Sequence, residues 1–379
     1  MRVATYLYTK GWNKPFDTSL DGVNTLIMIF ASCDELLVTT ALSQLLESFQ
    51  HATVVGASTA GEIYNDEYYV DAIVVSVIAF EHTSLQTISL PLQSTEKSFD
   101  DGVKIAKKLY NDDMRGIFVL SDGLQVNGSQ LTQGLSFVVG SSVPITGGLA
   151  GDDDRFEKTW IVVDKEIKSG YVCGVGFYGK NLQFKHASKG GWDRLGLQRV
   201  VTKSKNNVLY ELDHQPALEI YKKYLGDKAK ELPASGLLFP LELKEDADAT
   251  ESKVRTILGV NEDDNSITFA GDIPEGHCVT LMKANYNRLI DGASGAAESL
   301  DFSSYHGEEI LSIAISCVGR RLVLKSRVEE ELEAVMDAIP PKAKQIGFYS
   351  YGEISPLASG KCDLHNQTMT LTILWESDA

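Results

Sequence analysis

The chain has 379 residues, 43% apolar and 23% charged, with 32 Gly and 10 Pro; that length suggests two domains, and that composition excludes disordered, collagen-like and coiled-coil chains. Thirty-five basic against 52 acidic residues leave a formal charge of −17, a field that repels phosphate backbones and anionic lipid, so neither nucleic acid nor a membrane is expected as a partner. Five scattered cysteines, an N-terminus without the pattern of a secretory signal, and a longest apolar stretch (72–80) about half the length of a membrane span point to a cytoplasmic, reduced protein.

The elements alternate from the start. NTLIMIFAS (24–32) reads as a buried strand, and 34–50 as a helix capped by Asp34 with Leu36, Leu37, Ala41, Leu45 and Leu46 at helical spacing. ATVVGASTAGEI (52–63) is a strand ending in a glycine-bracketed turn, and 71–80 is a further strand. A helix over 98–112, a strand over 116–123 and a short helix over 128–139 lead to VPITGGLAGDDD (143–154). TWIVVDKEI, GYVCGVGFYG and LQFKHAS then read as antiparallel strands joined by short turns.

Beyond residue 190 the pattern restarts with a hairpin around Asn206-Asn207, a helix ending at Gly226, an exposed acidic loop over 243–253 and strands near 254–260, 266–271 and 277–284. A helix around 286–300 precedes a closing order of strand, helix, strand, strand. That order repeats the opening one. Aligning the turns pairs Gly56 with Gly347, Gly61 with Gly352, Glu62 with Glu353 and Ile63 with Ile354, the mark of a duplication. The expected architecture is therefore α/β (α+β), two pseudo-symmetric mixed-sheet domains with flanking helices, divided as 1–190 and 191–379.

Three groups of residues are candidates for chemistry. In VVGASTAGEI, Gly56 and Gly61 bracket Ser58 and Thr59; the segment is either a tight structural turn or a ligand pocket lined by Ser58, Thr59 and Glu62. It matches neither a phosphate loop nor a nucleophile elbow. GGLAGDDD (147–154), with Gly148, lacks the spacing of a calcium loop, so Asp152 to Asp154 read as a solvated turn. In LQFKHASKGGW, alternation places Leu182, Phe184 and His186 on one face, followed by Trp192; this suits either one wall of a planar apolar ligand or a half-buried histidine near a domain junction. A different-class rival is a small-molecule hydrolase using Ser58 or Ser350 with Glu62 or Glu353.

VVGASTAGEI, FVLSDG, VPITGGLAGDD, SCVGRRLVL, GFYSYGEISP and LHNQTMTLTILWE together resemble the FIST family of intracellular sensory proteins, over nearly the whole chain. The resemblance implies a stand-alone signal-transduction protein that binds a small ligand. No kinase, receiver or cyclase segment is read in these residues, so its output is expected in a separate protein. The chain further resembles the NosP nitric-oxide sensors of that family. That resemblance implies haem b on His186, with His214 in reserve, nitric oxide as the signal, a histidine kinase or cyclic-di-GMP enzyme as partner, and a possible homodimer. The alternative within the family is a non-haem pocket for a metabolite such as an amino acid, drawing on Ser58, Thr59, Glu62, Gly148, Tyr351 and Glu353, with Arg320 or Arg321 as a carboxylate clamp.

Overall fold

The computed structural model describes residues 1–377. It is a mixed α/β protein in which one supersecondary unit occurs three times. In the first unit an opening strand (Thr25–Ala31) and helix (Glu35–Ser48) lead to a return strand (Thr53–Ser58), a short hairpin (Glu62–Tyr64 and Glu67–Tyr69) and a closing strand (Ile73–Ala79). The second unit runs Met114–Ser121, helix Gly128–Val139, Ile145–Leu149, hairpin Ile161–Val163 and Glu166–Lys168, then Tyr171–Tyr178. The third runs Leu311–Cys317, helices Val318–Leu324 and Val328–Ala338, Lys344–Ser350, hairpin Gly352–Pro356 and Cys362–His365, then Met369–Glu376.

In each unit the opening and return strands pair in parallel and the closing strand lies antiparallel on the other side. The hairpins do not stay at home. The first unit's hairpin adds to the third unit's return strand, the third's to the second's, and the second's to the first's. This cyclic exchange completes three six-stranded sheets. It is stitched where the chains cross: Ala60 N–H donates to the Tyr349 carbonyl (2.8 Å), Tyr351 N–H to Leu149 (3.3 Å) and Gly151 N–H to Ser58 (2.9 Å). The repeat read between the two ends of the sequence is thus present, and a third copy lies between them.

Hydrophobic burial accounts for the arrangement. The inner strands are covered on both faces, which is why they read as unbroken apolar runs. Phe30, Phe118 and Ile313, one from each unit, share a core, with the Phe30 and Phe348 rings 4.6 Å apart, while helices pack outside. In the first helix Asp34 caps as expected. Its buried face, however, is Val38, Ala41, Leu42 and Leu45, and Leu36 is exposed.

The glycines of the return strands explain one another. A Cβ at Gly56, Gly147 or Gly347 would strike the backbone carbonyl of Ile29, Val119 or Ala314 on the opening strand. The close approach they permit is therefore strand to strand, not backbone to ligand. Gly347→Ala is expected to cost about 2 kcal/mol in urea unfolding, since backbone cannot yield as a side chain does, whereas Gly259→Ala, with nothing within 4 Å of the added carbon, should be near neutral.

Two edge strands, Arg2–Tyr8 and Ser84–Pro91, have no counterpart in the sequence reading, and the latter has no fully buried residue. Nor do the strands expected as one antiparallel run pair together. Tyr171–Tyr178 joins Met114–Ser121 and Ser84–Pro91, whereas Leu182–Lys189 joins Met369–Glu376. Between the second and third units an inserted nine-stranded sheet (193–283) carries its own core around Leu209, Leu218 and Phe269. No helix among the described residues is long and apolar enough to cross a membrane.

Candidate functional site

Open α/β sheets collect ligands at the C-terminal ends of their parallel strands. In the third unit those ends are Cys317 and the Ser350–Tyr351 turn, and they open onto a cavity of about 350 Å³. The Val318–Leu324 helix forms one wall with Val318, Gly319 and Leu322; Tyr351 and Asn366 form the floor beside it. The inserted sheet contributes Leu237, Thr256 and Ile257, and the second unit contributes Asp154 and Phe156. Three parts of the chain thus meet around one mostly apolar space, the kind of place where small-molecule sites form.

Asp152 organises the second unit's side of it. This buried carboxylate accepts backbone N–H groups of Phe156 (2.9 Å), Glu157 (2.8 Å) and Lys158 (2.8 Å) and also the Tyr351 hydroxyl. The expected solvated turn is instead a carboxylate holding a loop, because four donors converge on it. Burial, with the Asp152 carboxylate behind it, raises the Tyr351 hydroxyl far above the usual tyrosine value, so it stays a donor. Phe156 and Tyr351 stack at 4.3 Å and 14°, which gives the cavity an aromatic wall.

A polar cavity of about 270 Å³ lies on the other side of Asp153 and Asp154, lined by Thr59, Gly61, Glu62, Asp71, Arg155 and Arg321. Burial pushes the Glu62 carboxyl up to about 8, while the Thr59 hydroxyl and Ala72 N–H donate to it. Glu353 is its counterpart in the third unit. It accepts the Ser350 hydroxyl (3.0 Å) and Thr368 N–H (3.1 Å), and burial pushes it too up to about 8. Arg321 donates to the Tyr68 hydroxyl (2.6 Å) and pairs with Asp153.

The residues singled out from sequence therefore separate. Thr59 and Glu62 line the polar cavity and Tyr351 the apolar one. Ser58 is fully buried and its hydroxyl accepts Trp160 N–H at 3.0 Å. Gly148 lies inside a sheet opposite Glu353. Ser58 and Glu62 consequently do not form a nucleophile and base. Arg320 is no ligand clamp: it is fully buried, paired with Glu331 at 2.7 Å and bonded to the carbonyls of Gly190 and Leu289. Arg321 alone of the two faces a cavity.

The residues expected to hold haem do not fit that group. Leu182 and Phe184 fill the core, Phe184 lying 5.6 Å from the Phe177 ring and directly over Gly116. His186 is half-buried on the same strand opposite Thr372, and burial with the nearby Lys185 ammonium holds its imidazole below the usual value. Trp192 donates its indole N–H to the Gln367 carbonyl at 2.9 Å and lines a different cavity from which His186 is absent. His214 sits exposed in a turn of the inserted sheet. The cavity of about 700 Å³ that Trp192 lines with Lys189, Met282 and His365 does not include Leu182, Phe184 or His186, so these residues do not surround one space that a planar macrocycle could enter.

Three features of the site were not read from sequence: the short Val318–Leu324 helix, the 233–238 segment ahead of the expected strand near 254–260, and the Asn366–Gln367 turn. The helix and the turn carried a signal, inside the SCVGRRLVL and LHNQTMTLTILWE runs. Gln367 is fully buried at φ 59, its amide packed against Gly319, and neither end of that amide has a partner among the described residues. Strained backbone clusters at functional places, and buried polar atoms without partners call for an explanation.

Comparison with known proteins gives two findings. Residues 25–215 match the FIST N domain and residues 217–356 match the FIST C domain. An uncharacterised protein of Methanocaldococcus jannaschii is 25% identical over 372 residues, an alignment covering 85% of this chain and 68% of that relative.

Proposed function

Since the chain belongs to the FIST family, carrying both its N and its C domain, we propose that it is a signalling sensor whose ligand is a small metabolite bound in the apolar cavity at the third unit. FIST domains are sensory parts of signalling proteins, and this reading assigns the sensing to a place. One observation carries it: the cavity walls come from the second unit, the third unit and the inserted sheet together. A ligand that touches all three stabilises one mutual arrangement over others, and such differential affinity is what a sensor requires.

The neighbouring loop offers a route outward. Tyr351 is bonded to Asp152 by its side chain and to Leu149 by its backbone, so a ligand packed on the tyrosine ring acts on the junction where two units exchange strands. The output is assigned to a separate partner, a histidine kinase or cyclic-di-GMP enzyme, recognised through the altered surface of that junction.

A thermal-shift screen of a metabolite library tests the reading. A ligand at a hundredfold excess over its Kd stabilises the native state by about 2.7 kcal/mol, which raises the midpoint by some degrees. Ala234→Trp, at an exposed position on the cavity lining, is expected to abolish that rise without unfolding the protein. A library that shifts nothing, or shifts wild type and variant alike, removes the cavity from consideration.

A further inference from the structure

Asn366 is fully buried and lines the apolar cavity. Its amide nitrogen donates to the His365 carbonyl at 2.9 Å. That bond fixes which way the amide faces, because a flipped side chain would set oxygen against oxygen. The group left without a partner is therefore the acceptor, Oδ1. The Thr256 hydroxyl, also buried on the cavity wall, has no partner among the described residues either.

From these two atoms, and resting on the reading that this cavity is the sensory site, we infer that its ligand is a planar aromatic heterocycle, neutral or cationic, that presents an N–H or O–H donor to Asn366 Oδ1. The remaining walls agree with that chemistry. The stacked rings of Phe156 and Tyr351 offer a flat apolar contact surface, to which another ring adds favourably. Pro233, Ile257 and Leu322 supply apolar contact around it.

Charge decides against an anion. Asp154 is the one charged side chain among the described residues that line the cavity, and a carboxylate brought beside it and beside Oδ1 would face two acceptors. Arg321, expected from sequence as a carboxylate clamp, lines the other cavity and is already held by Tyr68 and Asp153. The ligand is thus not a free amino acid gripped by its α-carboxylate. A buried acceptor without a donor costs about 1–3 kcal/mol, and a ligand donor recovers that cost on binding; this is the source of selectivity.

The test uses the full chain and four probes: indole, 1-methylindole, indole-3-acetate and 1-octanol, with affinities measured by calorimetry. Indole is expected to bind about tenfold more tightly than 1-methylindole, which lacks the donor, as the loss of one such bond implies. Indole-3-acetate should bind more weakly still. Asn366→Leu is expected to equalise indole and 1-methylindole. Asn366→Ala gives the same reading should the leucine variant not fold, and Thr256→Val, which keeps shape and removes a hydroxyl that the proposed bond does not use, is expected to leave the gap unchanged. Equal affinity of wild type for indole and 1-methylindole, tighter binding of the acetate, or octanol binding best would overturn the ligand class while leaving the cavity as the site, provided Ala234→Trp still blocks the probe that binds. Binding of none of the probes, or binding indifferent to Ala234→Trp, overturns both.

Discussion

Arg320→Ala is expected to destabilise the protein by about 3–5 kcal/mol in urea unfolding, because it strands a buried charge. Arg320 and Glu331 are both fully buried. Glu331 also accepts the hydroxyls of Ser316 (3.2 Å) and Tyr349 (2.7 Å), while the guanidinium binds carbonyls of Gly190 and Leu289. One side chain thus fastens the entry to the inserted sheet, the Tyr286–Glu298 helix and the third unit. Replacing both partners, Arg320→Met with Glu331→Leu, should recover part of the loss, since no charge is then left unpaired; the two hydroxyls still lose their acceptor. A double variant no better than Arg320→Ala would assign the cost to packing instead.

The paired glutamates should give stability a pH dependence of unusual sign. Glu62 and Glu353 stand at about 8 in the folded protein, against about 4.3 in an unfolded chain. Between those values the native state holds protons that the unfolded state has released, so unfolding free energy falls as pH rises and levels off above about 8. Each group contributes at most about 1.4 kcal/mol per pH unit. Gln has nearly the shape of the protonated acid and is uncharged at every pH, and its Oε1 still accepts where the carboxyl accepts. Glu62→Gln with Glu353→Gln should therefore flatten the decline between pH 6 and 8.5. Parallel curves for wild type and double variant would show that these carboxyls titrate as ordinary ones.

The two glutamates also show how far the sequence could be read. Their equivalence was legible because glycine, glutamate and isoleucine recur at one spacing in two turns. The second unit escaped because its corresponding turn has Ala150, Gly151 and Asp152, and the carboxylate there binds a loop rather than a hairpin exit. What local pattern could not supply was direction. Ser58 and Gly148 looked like turn residues near a ligand, yet strand exchange buries both inside sheets. His186 alternates with Phe184 as expected, and Phe184 faces protein, since the space beside it belongs to a sheet whose strands lie far away in sequence.

By itself the sequence determined the element types, the recurring unit, the buried strands and the FIST resemblance, because periodicity and turn chemistry act between residues a few positions apart. Only the tertiary structure decided that three units trade hairpins in a ring, that Arg320 is structural while Arg321 faces a cavity, and that Thr256, Phe156, Tyr351 and Asn366 surround one space. Those four come from the inserted sheet, the second unit and the third unit. Their convergence follows from which apolar faces bury one another, and hydrophobic burial is non-directional and indifferent to distance along the chain.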